Sequence, residues 1–177
     1  MIKQKLQDEV NDQIKAEFQS GWLYLAFAAW FEEQNLEGFA NWMRQQWQEE
    51  QDHGMRFYNH ILRRDGQVEL KDLEKPTFSA DSPADIFEQA LEHERYITKR
   101  IHQLYDLAEK EGDYPLKTLL HWFIDEQVEE EENVSAILDR LKLIGDDGGS
   151  LYLLDRELGD RSAAGNGGNA GNSGDAQ

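Results

Sequence analysis

The chain has no cysteine, which removes disulfides, zinc ribbons, Cys-ligated iron–sulfur clusters and thiol catalysis together. Basic side chains are scarce beside acids, 18 Lys and Arg against 36 Asp and Glu, for a formal charge of −18. An imbalance of that size repels nucleic acid and anionic membrane surfaces, while an acidic surface attracts cations. No stretch approaches the roughly 20 consecutive apolar residues of a membrane helix. Lys3 and Lys5 are not followed by the apolar run of a secretory leader, so the cytoplasm is the expected compartment. What is present is 39% hydrophobic, with five Trp and eight Phe in 177 residues, which suits one domain with a sizeable core.

Apolar residues recur at steps of three and four in four long segments, the signature of amphipathic helices. The first covers about residues 4–33, through Leu6, Val10, Ile14, Gly21, Tyr24, Ala28 and Phe31. Gln34-Asn35 breaks it, and a second runs about 37–64 through Phe39, Met43, Gln46, Phe57 and Ile61. After a long linker from Asp65-Gly66 to Ser82-Pro83, a third covers about 83–111 through Phe87, Ala90, Ile97, Ile101, Leu104 and Ala108. Ser82 reads as its N-cap, with Pro83 at the first helical position. Gly112-Asp113-Tyr114-Pro115 ends it and opens a fourth, about 115–143, through Leu116, Leu120, Phe123, Val134, Ile137 and Leu141. Leu151, Leu154 and Leu158 mark a short fifth helix within 146–159, and residues 160–177, rich in Gly, Asn and Ser, read as a flexible tail.

Each long helix interrupts its apolar stripe near the middle with ligand-type residues. These are Glu17 in the first, Glu50 and His53 in the second, Glu94 in the third, and Gln127 and Glu130 in the fourth. In an antiparallel hairpin, residues at one height sum to about twice the turn position. Pairing Glu17 with Glu50 or His53, and Glu94 with Gln127 or Glu130, puts the turns where composition already places them. The six side chains therefore share one level of a four-helix bundle, residues 1–145. Four carboxylates in a dry core require cations to neutralise them, and an oxygen-rich set with one imidazole suits Fe(II) or Mn(II). A helix of this length spans about 40 Å at ~1.5 Å per residue, and the linker reaches roughly 60 Å at ~3.3 Å per residue. The linker can thus run the whole bundle, although a simple up-and-down path stays open.

Across about residues 4–158 the chain resembles a bacterial non-haem ferritin. Ferritin-like carboxylate bundles take one Glu from each of two helices and a Glu-x-x-His pair from each of the others. Here Glu50-x-x-His53 keeps that pair and Gln127-x-x-Glu130 departs from it, as in ferritins proper. Gln51 stands where bacterioferritins carry a haem-ligating Met, so no haem is expected. The resemblance implies an all-α fold with one long crossover, ferroxidase activity with O2 or H2O2 as acceptor, non-haem iron, and self-assembly into a shell of twenty-four subunits. It implies that Glu17, Glu50 and His53 hold a first iron, with Glu50 bridging to a second among Glu94, Gln127 and Glu130. It also implies a third site at Glu49, Glu126 and Glu129, for which a solvated acidic face is the other reading. Tyr24 matches the family's site-adjacent tyrosine, a donor of an electron or a proton, or equally a core residue with a satisfied hydroxyl.

His60, His93, His102 and His121 lack comparable partners and read as surface or structural residues. Trp22, Trp30, Trp42, Trp47 and Trp122 read mostly as helix-packing or subunit contacts. Two other functions remain open at this stage. One is a di-iron or iron–manganese oxidase or peroxidase that stores nothing, and the other is a non-catalytic shell or a DNA-protecting mini-ferritin. Gln127 in place of a fifth carboxylate weakens retention of ferric iron at the second position. Gln127→Glu should therefore hold Fe(III) longer, and an unchanged rate of iron release in that variant would count against the assignment.

Overall fold

The computed structural model describes residues 1–160, five helices joined by loops. They are α1 (Gln4–Glu33), α2 (Glu37–Arg63), α3 (Pro83–Glu111), α4 (Tyr114–Ile144) and α5 (Gly148–Gly159). No strand occurs among the described residues. The tail expected over 160–177 lies, from residue 161 on, outside them.

Local chemistry sets the helix ends. Ser82 accepts from the Asp85 backbone N–H, and the Asp85 carboxylate accepts from the Ser82 backbone N–H, a reciprocal cap. Gly112 ends α3 in the left-handed region at φ 68°, where a side chain would be strained. Asp113 then caps α4 by accepting from Leu116 N at 3.0 Å, which starts that helix one residue before the position its apolar stripe suggests. Asp113 is also gripped by Arg64 from the end of α2, Nη1 to Oδ1 and Nη2 to Oδ2, both at 2.8 Å. This forked pair ties the two hairpins together at one end of the bundle.

The 64–82 segment runs the full length of α1. Asn11 behaves like a strand edge toward it, donating to Gln67 O at 3.1 Å and accepting from Glu69 N at 2.9 Å. Two turns on, Gln19 repeats the arrangement with the backbone of Glu74, 2.9 Å to its oxygen and 2.7 Å from its nitrogen. Phe78 then packs edge-on against Phe27, ring centroids 4.9 Å apart. The path begins where Gln7 Oε1 accepts from Gln67 N at 2.8 Å and reaches Phe27, which makes α2 and α3 parallel and excludes the up-and-down alternative.

The core is in two halves. One gathers Phe27, Phe31, Phe39 and Phe87 with Leu154 and Leu158 of α5; the other gathers Leu6, Ile14, Phe57, Ile101, Leu116 and Phe123. Stacked rings mark each, Phe31 on Phe39 at 5.0 Å and Phe57 on Phe123 at 4.1 Å. The polar level predicted from the sequence lies between them.

α2 lacks a cap of its own, since Leu36 occupies that position. Asp155 of α5 supplies one, accepting from Gly38 N at 2.8 Å and Phe39 N at 3.0 Å. Gly38 is required there because a Cβ would lie 1.6 Å from Asp155 O. Asp155→Ala should cost about 1 kcal/mol, the usual worth of a cap. Gly38→Ala should cost more, because it also pushes α5 off the Leu154 and Leu158 contacts. Denaturant midpoints test both, and a Gly38→Ala midpoint equal to that of the wild type would contradict the docking.

Candidate metal centre

The mid-bundle level is built from one or two side chains per helix. α1 contributes Glu17, α2 Glu50 and His53, α3 Glu94, and α4 Gln127 and Glu130, and each is no more than 3% exposed. The i, i+3 spacing on α2 and α4 turns both members of each pair inward. Ligand atoms of Glu17, Glu50 and His53 lie within 4.8 Å of one another, and so do those of His53, Glu126 and Glu130. His53 is the hinge between the two groups.

The hydrogen bonding of this level is incomplete in an informative way. Glu17 Oε2, Glu50 Oε2 and both ring nitrogens of His53 are buried without a hydrogen-bond partner among the described residues. Glu50 Oε2 lies 3.4 Å from Nδ1 and Glu126 Oε1 lies 3.8 Å from Nε2. Such orphaned polar atoms are costly in a dry interior unless something else satisfies them. Donor oxygens and an imidazole converging on one volume are what a divalent cation requires.

The other half of the level is more closed. Tyr24, fully buried, donates its hydroxyl to Glu94 Oε1. Gln127 donates to Glu94 Oε2 at 3.2 Å, to Glu94 O at 3.3 Å and to Thr98 Oγ1 at 3.3 Å. Glu130 accepts from Gln46 Nε2 at 2.7 Å. The expected set Glu94, Gln127 and Glu130 is therefore split in this conformation, with Glu94 and Gln127 bonded to each other and Glu130 beside His53 and Glu126. Of the flanking acids, Glu126 and Glu49 are half-buried and Glu129 is exposed.

Electrostatics agree with the packing. Burial raises the pKa of Glu17, Glu50 and Glu94, and that of Glu130 to about 8. For Glu130 the neighbouring Glu94 and Glu49 add to the effect. Burial works against a charged His53, yet its contacts with Glu126 and Glu50 outweigh it and leave the ring well above its ordinary value. Burial also raises Tyr24 well above the phenol range, with Glu94 adding to it.

The remaining histidines sit away from this level's unpaired atoms. His93 Nε2 meets Ser20 Oγ at 2.7 Å, His121 meets Tyr105 at 3.1 Å, His60 meets Arg64 at 3.3 Å, and His102 is exposed. Sequence reading missed two buried amides that hold carboxylates, Gln13 against Glu17 and Gln46 against Glu130. Gln13 precedes Glu17 by one helical turn, a spacing that carries the signal.

Comparison with known proteins places the geometry in context. The ferritin-like domain model matches residues 7–144. A bacterial non-heme ferritin of Staphylococcus aureus is 36% identical over 162 residues, covering 92% of this chain and 98% of that one. One of Bacteroides fragilis is 37% identical over 161 residues, covering 91% and 100%. Among solved structures, an open pore ferritin from the archaeon Archaeoglobus fulgidus superposes with a TM-score of 0.90 at 43% identity, covering 92% of this chain and 100% of that one.

A pH signature follows from the buried acids. A carboxyl whose folded pKa is about 8, against an ordinary 4.5, holds more protons folded than unfolded between those values, so stability falls as pH rises through that window. His53, also raised, has the same sign: its contribution is present below its unfolded value and lost as pH climbs through the folded one. Metal-free protein should lose roughly 5–10 °C of thermal midpoint between about pH 5 and about pH 8. Saturating Co(II) should remove most of the loss, and Glu130→Gln should flatten part of it. A metal-free midpoint that stays constant across the window would rule out a buried acidic level of this kind.

Proposed function

The chain belongs to the ferritin family, and from that premise we propose how its own residues carry out iron oxidation and storage. It is an iron-storage protein with ferroxidase activity, converting Fe(II) to Fe(III). Glu17, Glu50 and His53 take one Fe(II). The supporting observation is the set of orphaned atoms, Glu17 Oε2, Glu50 Oε2 and the His53 nitrogens, converging within a buried volume. Glu50 serves as the shared carboxylate, and Glu94, Gln127 and Glu130 take the second Fe(II). Each Glu94 oxygen keeps a lone pair beside the bond it accepts from Tyr24 or Gln127. Four carboxylate charges balance two divalent ions, so loading offsets the burial that raises the pKa values of these acids.

Two Fe(II) supply two electrons, enough to reduce O2 to H2O2 or H2O2 to water. Tyr24, bonded to Glu94, stands ready to pass a proton or an electron at that end. Glu126 bridges from His53 toward the α2–α4 face, and with Glu49 and Glu129 it forms an acidic exit for the ferric product. Ferric ions moving along it reach the interior of a shell of twenty-four copies in the cytoplasm. Large apolar side chains left in water support burial between copies, among them Leu70 at 67% exposed, Leu143 at 88% and Leu153 at 63%. No helix among the described residues is long and apolar enough to cross a membrane.

The test is to add Fe(II) without oxygen, admit air, and follow absorbance and particle mass. Storage requires far more than two iron atoms per chain. Glu17→Ala and His53→Ala should each slow the first oxidation by more than about tenfold. Loading that stops at two irons per chain would instead favour an oxidase that keeps its metals.

A further inference from the structure

Glu17 is the one proposed ligand on α1, and its two oxygens are treated differently. Oε1 accepts from Gln13 Nε2 at 2.8 Å, whereas Oε2 is buried with no hydrogen-bond partner among the described residues. One oxygen is held back and the other is left for a cation. Gln13, 1% exposed, can do this only if its NH2 end faces Glu17, since its oxygen would repel the carboxylate.

Something must choose between the two orientations of that amide, and Arg100 on α3 does so. Its Nε donates to Gln13 Oε1 at 3.0 Å. A guanidinium has donors and no acceptor, so it accepts only the oxygen end of the amide, and the NH2 end is left facing Glu17. The remaining interactions of Arg100 are modest. Nη1 donates to Tyr96 OH at 3.3 Å, and the guanidinium carbon lies 5.8 Å from the centre of that ring. Among the described residues no carboxylate lies within ion-pair distance of it. It stands in the α1–α3 seam and lines two open grooves of about 300 and 260 Å³, the first of which Gln13 lines as well.

We propose that Arg100 and Gln13 are positioning residues that make Glu17 a one-oxygen ligand of the metal it shares with Glu50 and His53. This rests on the assignment of those three residues to a metal position. A carboxylate pinned at one oxygen presents the other to a cation. The relay and simple electrostatics have opposite signs. Removing a positive charge near a cation should strengthen binding by Coulomb's law, whereas unlocking the amide should weaken it.

The experiment is an anaerobic Co(II) titration of iron-stripped, assembled protein, read by calorimetry and by the visible Co(II) absorption, with circular dichroism and particle mass as checks on folding. Arg100→Met should weaken the tightest Co(II) equivalent by about tenfold, as is usual for residues that support a ligand. Gln13→Met should do at least as much and change the intensity of the Co(II) bands. The double variant should bind no more weakly than Gln13→Met alone, because Arg100 acts through Gln13. Arg100→Lys, which keeps a charge and a donor, should restore most of the affinity. Arg100→Met binding as tightly as wild type or more tightly, or penalties that add in the double variant, would overturn the relay. Glu17→Gln separates the relay from the metal position. If it loses the tight equivalent while Arg100→Met does not, only the relay fails; if it binds like wild type, the metal position fails and the relay with it.

Discussion

The structure depends on one constraint: four carboxyl groups and an imidazole are held in a layer from which water is excluded. Two apolar half-cores, each with a stacked pair of phenyl rings, close over that layer from both ends. Burial pushes the pKa values of these acids up. A cation entering such a layer competes with protons for the same oxygens. The atoms of this layer left without a hydrogen-bond partner among the described residues lie on Glu17, Glu50 and His53.

Holding such a layer needs a stiff frame, and the frame is tied in ways that secondary structure alone does not reveal. The crossover has no regular hydrogen bonding of its own, yet Asn11 and Gln19 offer it the donor and acceptor of a neighbouring strand. At one end, Arg64 and Asp113 join the hairpins through a forked ion pair. At the other, α5 closes the first turn of α2. These ties keep the six side chains at one height, which a bundle held by apolar contact alone would allow to slide.

Much of this was legible in the chain because helical periodicity is strict. Apolar stripes located α1 to α4 to within a residue or so, and the breaks at Glu17, Glu50, Glu94 and Glu130 stood out because a charged residue in an apolar stripe is expensive. Ser82 and Pro83 marked the start of α3 for equally local reasons. Features that depend on distant partners were not legible. Linker length permitted the crossover without selecting it, since the choice rests on Asn11 and Gln19 meeting backbone more than fifty residues away. Nothing local to Asp155 marks it as a cap, because the amides it accepts from, those of Gly38 and Phe39, lie more than a hundred residues away. Glu94 and Gln127 were expected to face a metal together; in the structure Gln127 donates to Glu94, which also accepts from Tyr24.

The borrowed cap on α2 has a temporal side. A chain leaving the ribosome completes α1 and α2 long before residue 155 is made, so the amides of Gly38 and Phe39 must wait for the far end of the polypeptide. Until then that corner of the first hairpin stays frayed and the aromatic half-core beneath it lacks Leu154 and Leu158. A chain that stops before residue 155 leaves those two amides without their acceptor and that half-core without its α5 side chains.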